Sequence, residues 1–183
     1  VDPSLAAEEV TAMTVDDQFL YFGGRYGNSF QLRAWRKDGG QEAQTVDTTN
    51  GPITGIVVHD KRLYWIDAGS SVVNPGQIKG ANIPAPGDNW MPQLIRKNAG
   101  TGQSLAVDGA NVYWIQAGDI VPGDLRLRKA PNKLAPPGNV LDGPDQALAV
   151  RDKPGISNLP ANWLAVDDNY VYFVDEDKIG GVG

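Results

Sequence analysis

The chain holds one histidine, His59, and no cysteine, so carboxylates are its main reactive groups. Without cysteine there is no disulfide, no thiolate nucleophile and no Cys-based zinc or iron–sulfur centre, although this does not fix the redox compartment. A lone histidine cannot build a multi-histidine metal site. A serine triad would have to run through it, and no serine sits in a GxSxG elbow. The acidic groups Asp16-Asp17, Asp167-Asp168 and Asp175-Glu176-Asp177 could offer oxygen ligands to calcium, the hard cation that such ligands suit. None has the alternating carboxylate, glycine and glutamate spacing of an EF-hand loop. Asp175, Glu176 and Asp177 form the strongest calcium candidate, set against the plainer expectation of a solvated loop.

Two glycine-rich stretches, FGGRYGN at 22 to 28 and GTGQS at 100 to 104, lack the lysine of a phosphate-cradling loop and do not open a helix. They are expected to be loops. Net charge is −6, and the nearest basic cluster, Arg126, Arg128, Lys129 and Lys133, is small. A nucleic-acid partner is not expected, since binding phosphate backbones calls for a basic stripe. The alternation in LRLRK fits a strand with one solvated face. No run of eighteen apolar residues is present, so no membrane span is expected. The opening VDPSLAAEEV lacks the basic start and apolar core of a signal peptide, which makes an exported form of this chain a mature or internal piece.

What must position these groups is a phrase that recurs four times: TVDDQFLYF at 14 to 22, VVHDKRLYW at 57 to 65, AVDGANVYW at 106 to 114 and AVDDNYVYF at 165 to 173. Val15, Val58, Val107 and Val166 are spaced by 43, 49 and 59 residues, the period of a β-propeller blade. In each copy an apolar strand enters a polar turn and an aromatic strand leaves it, the signature of a hairpin. His59 stands where the other copies have Asp16, Asp108 and Asp167, so a structural part in the turn is expected of it rather than catalysis.

Strand signals continue after each hairpin. The first copy gives TAMTV, FLYF, FQLRAW and EAQTVDT, the second ITGIVV, RLYWI, GQIKGA and QLIRK, and the third SLAV, VYWI, LRLRKA and QALAVR. LYWI and VYWI are apolar at every position, which requires cover on both faces of the strand. Tyr21, Phe22, Tyr64, Trp65, Tyr113, Trp114, Tyr172 and Phe173 are therefore expected in the core, between stacked sheets. The sequence thus predicts an all-β chain, a single β-propeller domain over 1–183 with four blades of four antiparallel strands. The blades fall at about 11–49, 53–98, 103–152 and 162–183. The fourth lacks an outer strand, which residues 4–9 could supply by closing a four-bladed ring; the alternative is a share of a six- to seven-bladed one.

The pattern LAVDGANVYWI, followed by LRLRKAPNK and PPG, resembles the YWTD and NHL type of propeller repeat of extracytoplasmic bacterial proteins, and YWID at 64 to 67 is nearest to the name-giving tetrapeptide. A second, lesser likeness is to hemopexin-type four-bladed rings. The first resemblance implies a ring used mainly for binding, located in the periplasm, at the cell surface or in secretion. It also points to Asp67 as a member of a polar network between blades, with Gly23, Gln116 and Asp175 as its counterparts.

Loops between second and third strands, and loops leading into the next inner strand, should meet at one rim. Arg25, Tyr26, Asn28, Asn50, Asn98 and Asn158 lie there and suit directional hydrogen bonding and stacking. The expected function is a non-enzymatic binding or assembly module for a protein partner, an extracellular polymer or a second copy of the chain. The alternatives are a calcium-dependent lactonase or hydrolase and a glycan-binding lectin. No organic cofactor is expected.

Overall fold

The computed structural model describes residues 9–39, 42–71, 74–117, 124–133, 146–152 and 164–173. Every regular element among them is a β-strand. The first sheet is β1 (Glu9–Val15), β2 (Phe19–Tyr26), β3 (Ser29–Arg36) and β4 (Gln44–Thr49). The second is β5 (Ile53–His59), β6 (Arg62–Ser71), β7 (Asn74–Asn82) and β8 (Gln93–Arg96). The third is β9 (Thr101–Val107), β10 (Asn111–Ala117), β11 (Asp124–Pro131) and β12 (Gln146–Asp152), and β13 (Leu164–Val166) pairs with β14 (Val171–Phe173). Each sheet is an antiparallel meander in chain order. These are the strands expected from the repeated phrase. Residues 4–8 and the segment after Phe173 lie outside the described residues, and with them the proposed closing strand and the calcium candidates Asp175, Glu176 and Asp177.

The sheets pack in series through their first strands, β1 against β5, β5 against β9 and β9 against β13. A hydrogen bond repeats along that line: the Thr11 hydroxyl donates to the Ile53 carbonyl at 2.7 Å, and the equivalent Thr54 hydroxyl donates to the Gly102 carbonyl. Among the described residues β13 does not pack on β1 to a comparable extent.

Between each pair of sheets lies a separate hydrophobic layer. Tyr21, Leu32, Val46, Leu63 and Trp65 fill the first, Tyr64, Ile78, Ile95, Val112 and Trp114 the second, and Tyr113, Leu127 and Leu164 the third. Neighbouring residues on a strand point to opposite faces, so Trp65 reaches back to the first sheet while Tyr64 reaches forward to the third. That alternation is why the aromatic strands are apolar throughout. Trp90, from the loop after β7, clamps the first layer by edge-on contact with Phe19 and Tyr21 at 6.1 Å between centroids.

Two of the expected core aromatics are not in the core. Tyr172 and Phe173 are 49% and 40% exposed. Among the described residues β13 and β14 form a two-stranded sheet packed only on the third sheet, whereas Tyr64, Trp65, Tyr113 and Trp114 lie in four-stranded sheets with a neighbour on either side. At the other end of the series Met13 is 66% exposed, although its equivalents Ile56, Leu105 and Leu164 are covered by the sheet before each.

Candidate functional site

The polar phrase between the first two strands of each sheet folds as a local device. Asp16 accepts the amides of Gln18 and Phe19 on Oδ1, both at 2.7 Å, and the Tyr21 hydroxyl on Oδ2, also at 2.7 Å. Asp108 does the same with Ala110, Asn111 and Tyr113, and Asp167 with Asn169, Tyr170 and Tyr172. A carboxylate accepting two turn amides is the mechanism by which aspartate favours such turns. Burial alone would raise the Asp108 carboxyl, but the Tyr113 hydroxyl and the Ala110 and Asn111 amides outweigh it and hold the group below the ordinary 3.8. Burial, then the bond to the Asp16 carboxylate, pushes the Tyr21 phenol well above its ordinary range. The tyrosine hydroxyl was not evident from reading these residues as core; the spacing Asp-x4-Tyr, kept in three copies, is the signal that carries it.

The second copy solves the same turn differently. His59 pairs with Arg62, leaving a two-residue loop in which Asp60 and Lys61 take φ of 47° and 58°. Positive φ at both central residues marks a type I′ hairpin, whose twist matches the strands without a capping carboxylate. His59 is half-buried and lies 3.4 Å from Asp60. It takes no part in a group of three or more metal-ligating side chains, of which there is none among the described residues.

At the opposite ends of the strands lie the hairpin between β2 and β3 and the links from β4 to β5 and from β8 to β9. Five of the six expected rim residues fall there; Asn158 lies outside the described residues. Arg25 and Tyr26 close strand β2 rather than standing in a loop, and pair with Phe30 and Ser29 across a two-residue turn that holds Asn28. The Arg33 guanidinium lies over the Tyr26 ring at 4.4 Å, and burial raises the Tyr26 phenol against the lowering effect of Arg33. Asn50 and Asn98 are exposed, and Asn98 takes φ of 55°, a backbone conformation that asparagine tolerates better than most residues.

The backbone behind these side chains is tied down. Asp67 is almost fully buried, and its carboxylate accepts the amides of Gly51 at 3.2 Å, Asn50 at 3.4 Å and Gly69 at 2.9 Å. Gly51 must be glycine, because a Cβ there would stand 1.9 Å from the Gly69 carbonyl oxygen. The next link is held by the Ala99 amide donating to the Gly76 carbonyl at 2.7 Å. Asp67 thus has a polar role inside the second sheet and the link that enters it. Strand register gives its counterparts as Gly24 and Gln116: Val10, Ile53 and Gly102 oppose Gly24, Asp67 and Gln116. Gly24 therefore replaces the Gly23 expected from sequence, a shift of one residue.

One polar contact between sheets had no counterpart in the sequence reading. Asp47 on β4 accepts the Trp65 indole N–H at 3.0 Å and pairs with the Lys79 ammonium at 2.8 Å, joining the first sheet to the second. A cavity of about 200 Å³ opens at the far end of these sheets, lined by Arg36, Asp38, Gln44 and residues 84–88. It lies away from the expected rim.

No protein-family model matches the chain, and no curated protein matches it. Among solved structures, a chain of the "Crystal structure of Nidogen/Laminin Complex" is similar at 13% identity and a TM-score of 0.49, over 67% of this chain and 44% of that one. This chain spans less than half the length of that one. None of the described residues forms a helix long and apolar enough to cross a membrane.

Proposed function

We propose that this chain is a β-propeller scaffold of the extracytoplasmic bacterial type, working as a binding or assembly module. A protein partner or an extracellular polymer docks on the rim that carries Arg25, Tyr26, Asn28, Asn50 and Asn98. The observation that carries this reading is the contrast within the rim links. Their backbone is fixed from inside by the buried Asp67 carboxylate and the Ala99 to Gly76 bond, while Asn50 and Asn98 remain exposed. A surface already held in place loses little entropy on binding, which favours recognition. Stacking of the sheets through their first strands supports the propeller itself. The apolar face of the first sheet at Met13 then belongs against another sheet, either the fourth in a small ring or a further one in a larger ring. The mass of the full-length gene product separates those two.

The binding role is tested by presenting the immobilised protein to envelope and culture-medium fractions and to a glycan array. Arg25→Ala with Asn28→Ala and Asn50→Ala should abolish capture of whatever binds, while Lys61→Ala, at the opposite ends of the strands, leaves it intact. Capture lost with Lys61→Ala and kept by the rim variant overturns the assignment. Calcium-dependent turnover of a lactone panel, lost on chelation, would replace it with an enzyme.

A further inference from the structure

The link from β7 to β8 is fixed against the first sheet, yet it does not close on it. Trp90 sets its edge on Phe19 and Tyr21, with 6.1 Å between centroids, and its indole N–H donates to the Gln44 side-chain oxygen at 3.3 Å. At the start of the link the Ile83 amide donates to the Lys61 carbonyl at 3.0 Å. Between these anchors Ala85, Pro86, Gly87 and Asp88 form a type II turn. The Asp88 amide donates to the Ala85 carbonyl at 3.0 Å, with proline second and glycine third at φ of 94°. Proline and that hydrogen bond leave the wall little freedom to collapse.

The facing wall is also held. Arg36 gives Nε and Nη2 to Asp38, both at 3.0 Å, and its guanidinium lies over the Phe19 ring at 5.7 Å from the centroid. Protein packing normally closes a gap between two such surfaces. Here about 200 Å³ stays open, room for several waters or one small ring, and less than the roughly 300 Å³ at which pockets for drug-sized molecules begin.

The chemistry of the lining is mixed. Asp88 offers a carboxylate that only accepts and Gln44 a side-chain nitrogen that only donates, and neither of these groups bonds to another described residue. Charge argues against an ion in the space. Asp38 already matches Arg36, so an anion would meet Asp88 and a chain of net charge −6, while a cation would lie beside the guanidinium. Hydroxyl groups suit both walls, since each donates once and accepts twice.

We propose that this cavity binds one ring of a neutral carbohydrate. Two neighbouring hydroxyls donate to the Asp88 carboxylate, a further oxygen accepts from the Gln44 nitrogen, and the C–H face of the ring lies against Pro84 and Pro86. Binding exchanges waters for hydroxyls that make the same bonds, between walls that need no further ordering. The site stands apart from the rim and does not rest on a binding role there.

The Trp90 indole N–H reports on the cavity, because it shares Gln44 with the ligand. In assigned proton–nitrogen correlation spectra, a panel of methyl pyranosides at tens of millimolar should move the Trp90 signal saturably for at least one member. The Trp65 and Trp114 signals should stay in place. Asp88→Ala, on an exposed turn, removes the acceptor and should weaken that binding about tenfold; Asp88→Asn, which keeps one acceptor oxygen, should weaken it less. Absence of a saturable Trp90 shift with every pyranoside overturns the site, and so does undiminished binding in Asp88→Ala. Methylammonium and acetate are the charged controls; a Trp90 shift with either that exceeds those of the pyranosides overturns the assignment by giving the space to an ion.

Discussion

Where the first sheet meets the second, a carboxylate, an indole and an ammonium satisfy one another at 2.8–3.0 Å; where the second meets the third, the corresponding backbone positions hold Arg96, Trp114 and Arg128. The apolar layers beside them are built alike, with Trp65 and Trp114 both fully buried. A repeat can therefore keep its packing while it changes the charged residues beside it. Apolar cover is set by side-chain alternation and tolerates no break, whereas one bulge position decides the charge between sheets. The turns teach the same lesson at the other ends of the strands. The third sheet holds its turn with Asp108 and Tyr113, while the second holds it with the backbone of Asp60 and Lys61.

The most direct way to break this contrast is to remove the acid. Asp47→Ala leaves Lys79 and the Trp65 N–H without their acceptor and should cost about 2–3 kcal/mol, less than for a fully buried pair because both partners touch solvent. Urea unfolding decides, and an unchanged midpoint would show that the acid does not hold the two sheets together. Trp65→Phe and Trp114→Phe delete the same volume, so the difference between them isolates the N–H. Trp65→Phe should be the more destabilising by about 1 kcal/mol, the usual worth of a satisfied hydrogen bond.

A smaller effect of the same kind is expected at the turns, where Asp108→Asn should cost about 1 kcal/mol at pH 7. The folded state holds the Asp108 carboxyl below 3.8, so its contribution is complete above that value and fades as pH falls through the lower, folded pKa. The variant and wild type should therefore converge in acid; a gap that persists at pH 2 would show that the charge is not the cause. The least effect, and of opposite sign, belongs to Lys61→Gly, which should stabilise by about 0.5 kcal/mol by relieving a left-handed backbone. A loss of stability in thermal unfolding would refute the I′ account of the His59 turn.

Strands and hairpins were legible because their signals are local: an apolar run, a turn residue, an aromatic run. The layered core was legible for the same reason, since LYWI and VYWI cannot have a wet face. Other features needed register. Asp47 and Arg96 lie in outer strands where the copies share no phrase, and each sits in a bulge that turns an outward position inward. Gly24 follows Phe22 by two residues as Asp67 follows Trp65, so the repeat already placed it and Gly23 missed it by one. The Tyr172 and Phe173 burial expected from the repeat failed because burial depends on what stands on both sides of a strand, which the strand's own sequence does not record. Arg25, Tyr26, Asn28, Asn50 and Asn98 lie at the strand ends opposite the aspartate turns, but the hidden Asp67 anchor behind Asn50 became clear only through its three amide donors.

The alternation that sends Trp65 one way and Tyr64 the other makes the second sheet the mortar of two layers at once. Cohesion is then passed from neighbour to neighbour, as along a short chain of dominoes. A defect in the second sheet weakens both layers it borders, whereas among the described residues β13 and β14 border a single one. Substitutions should therefore be tolerated by how many layers a sheet borders as much as by residue type.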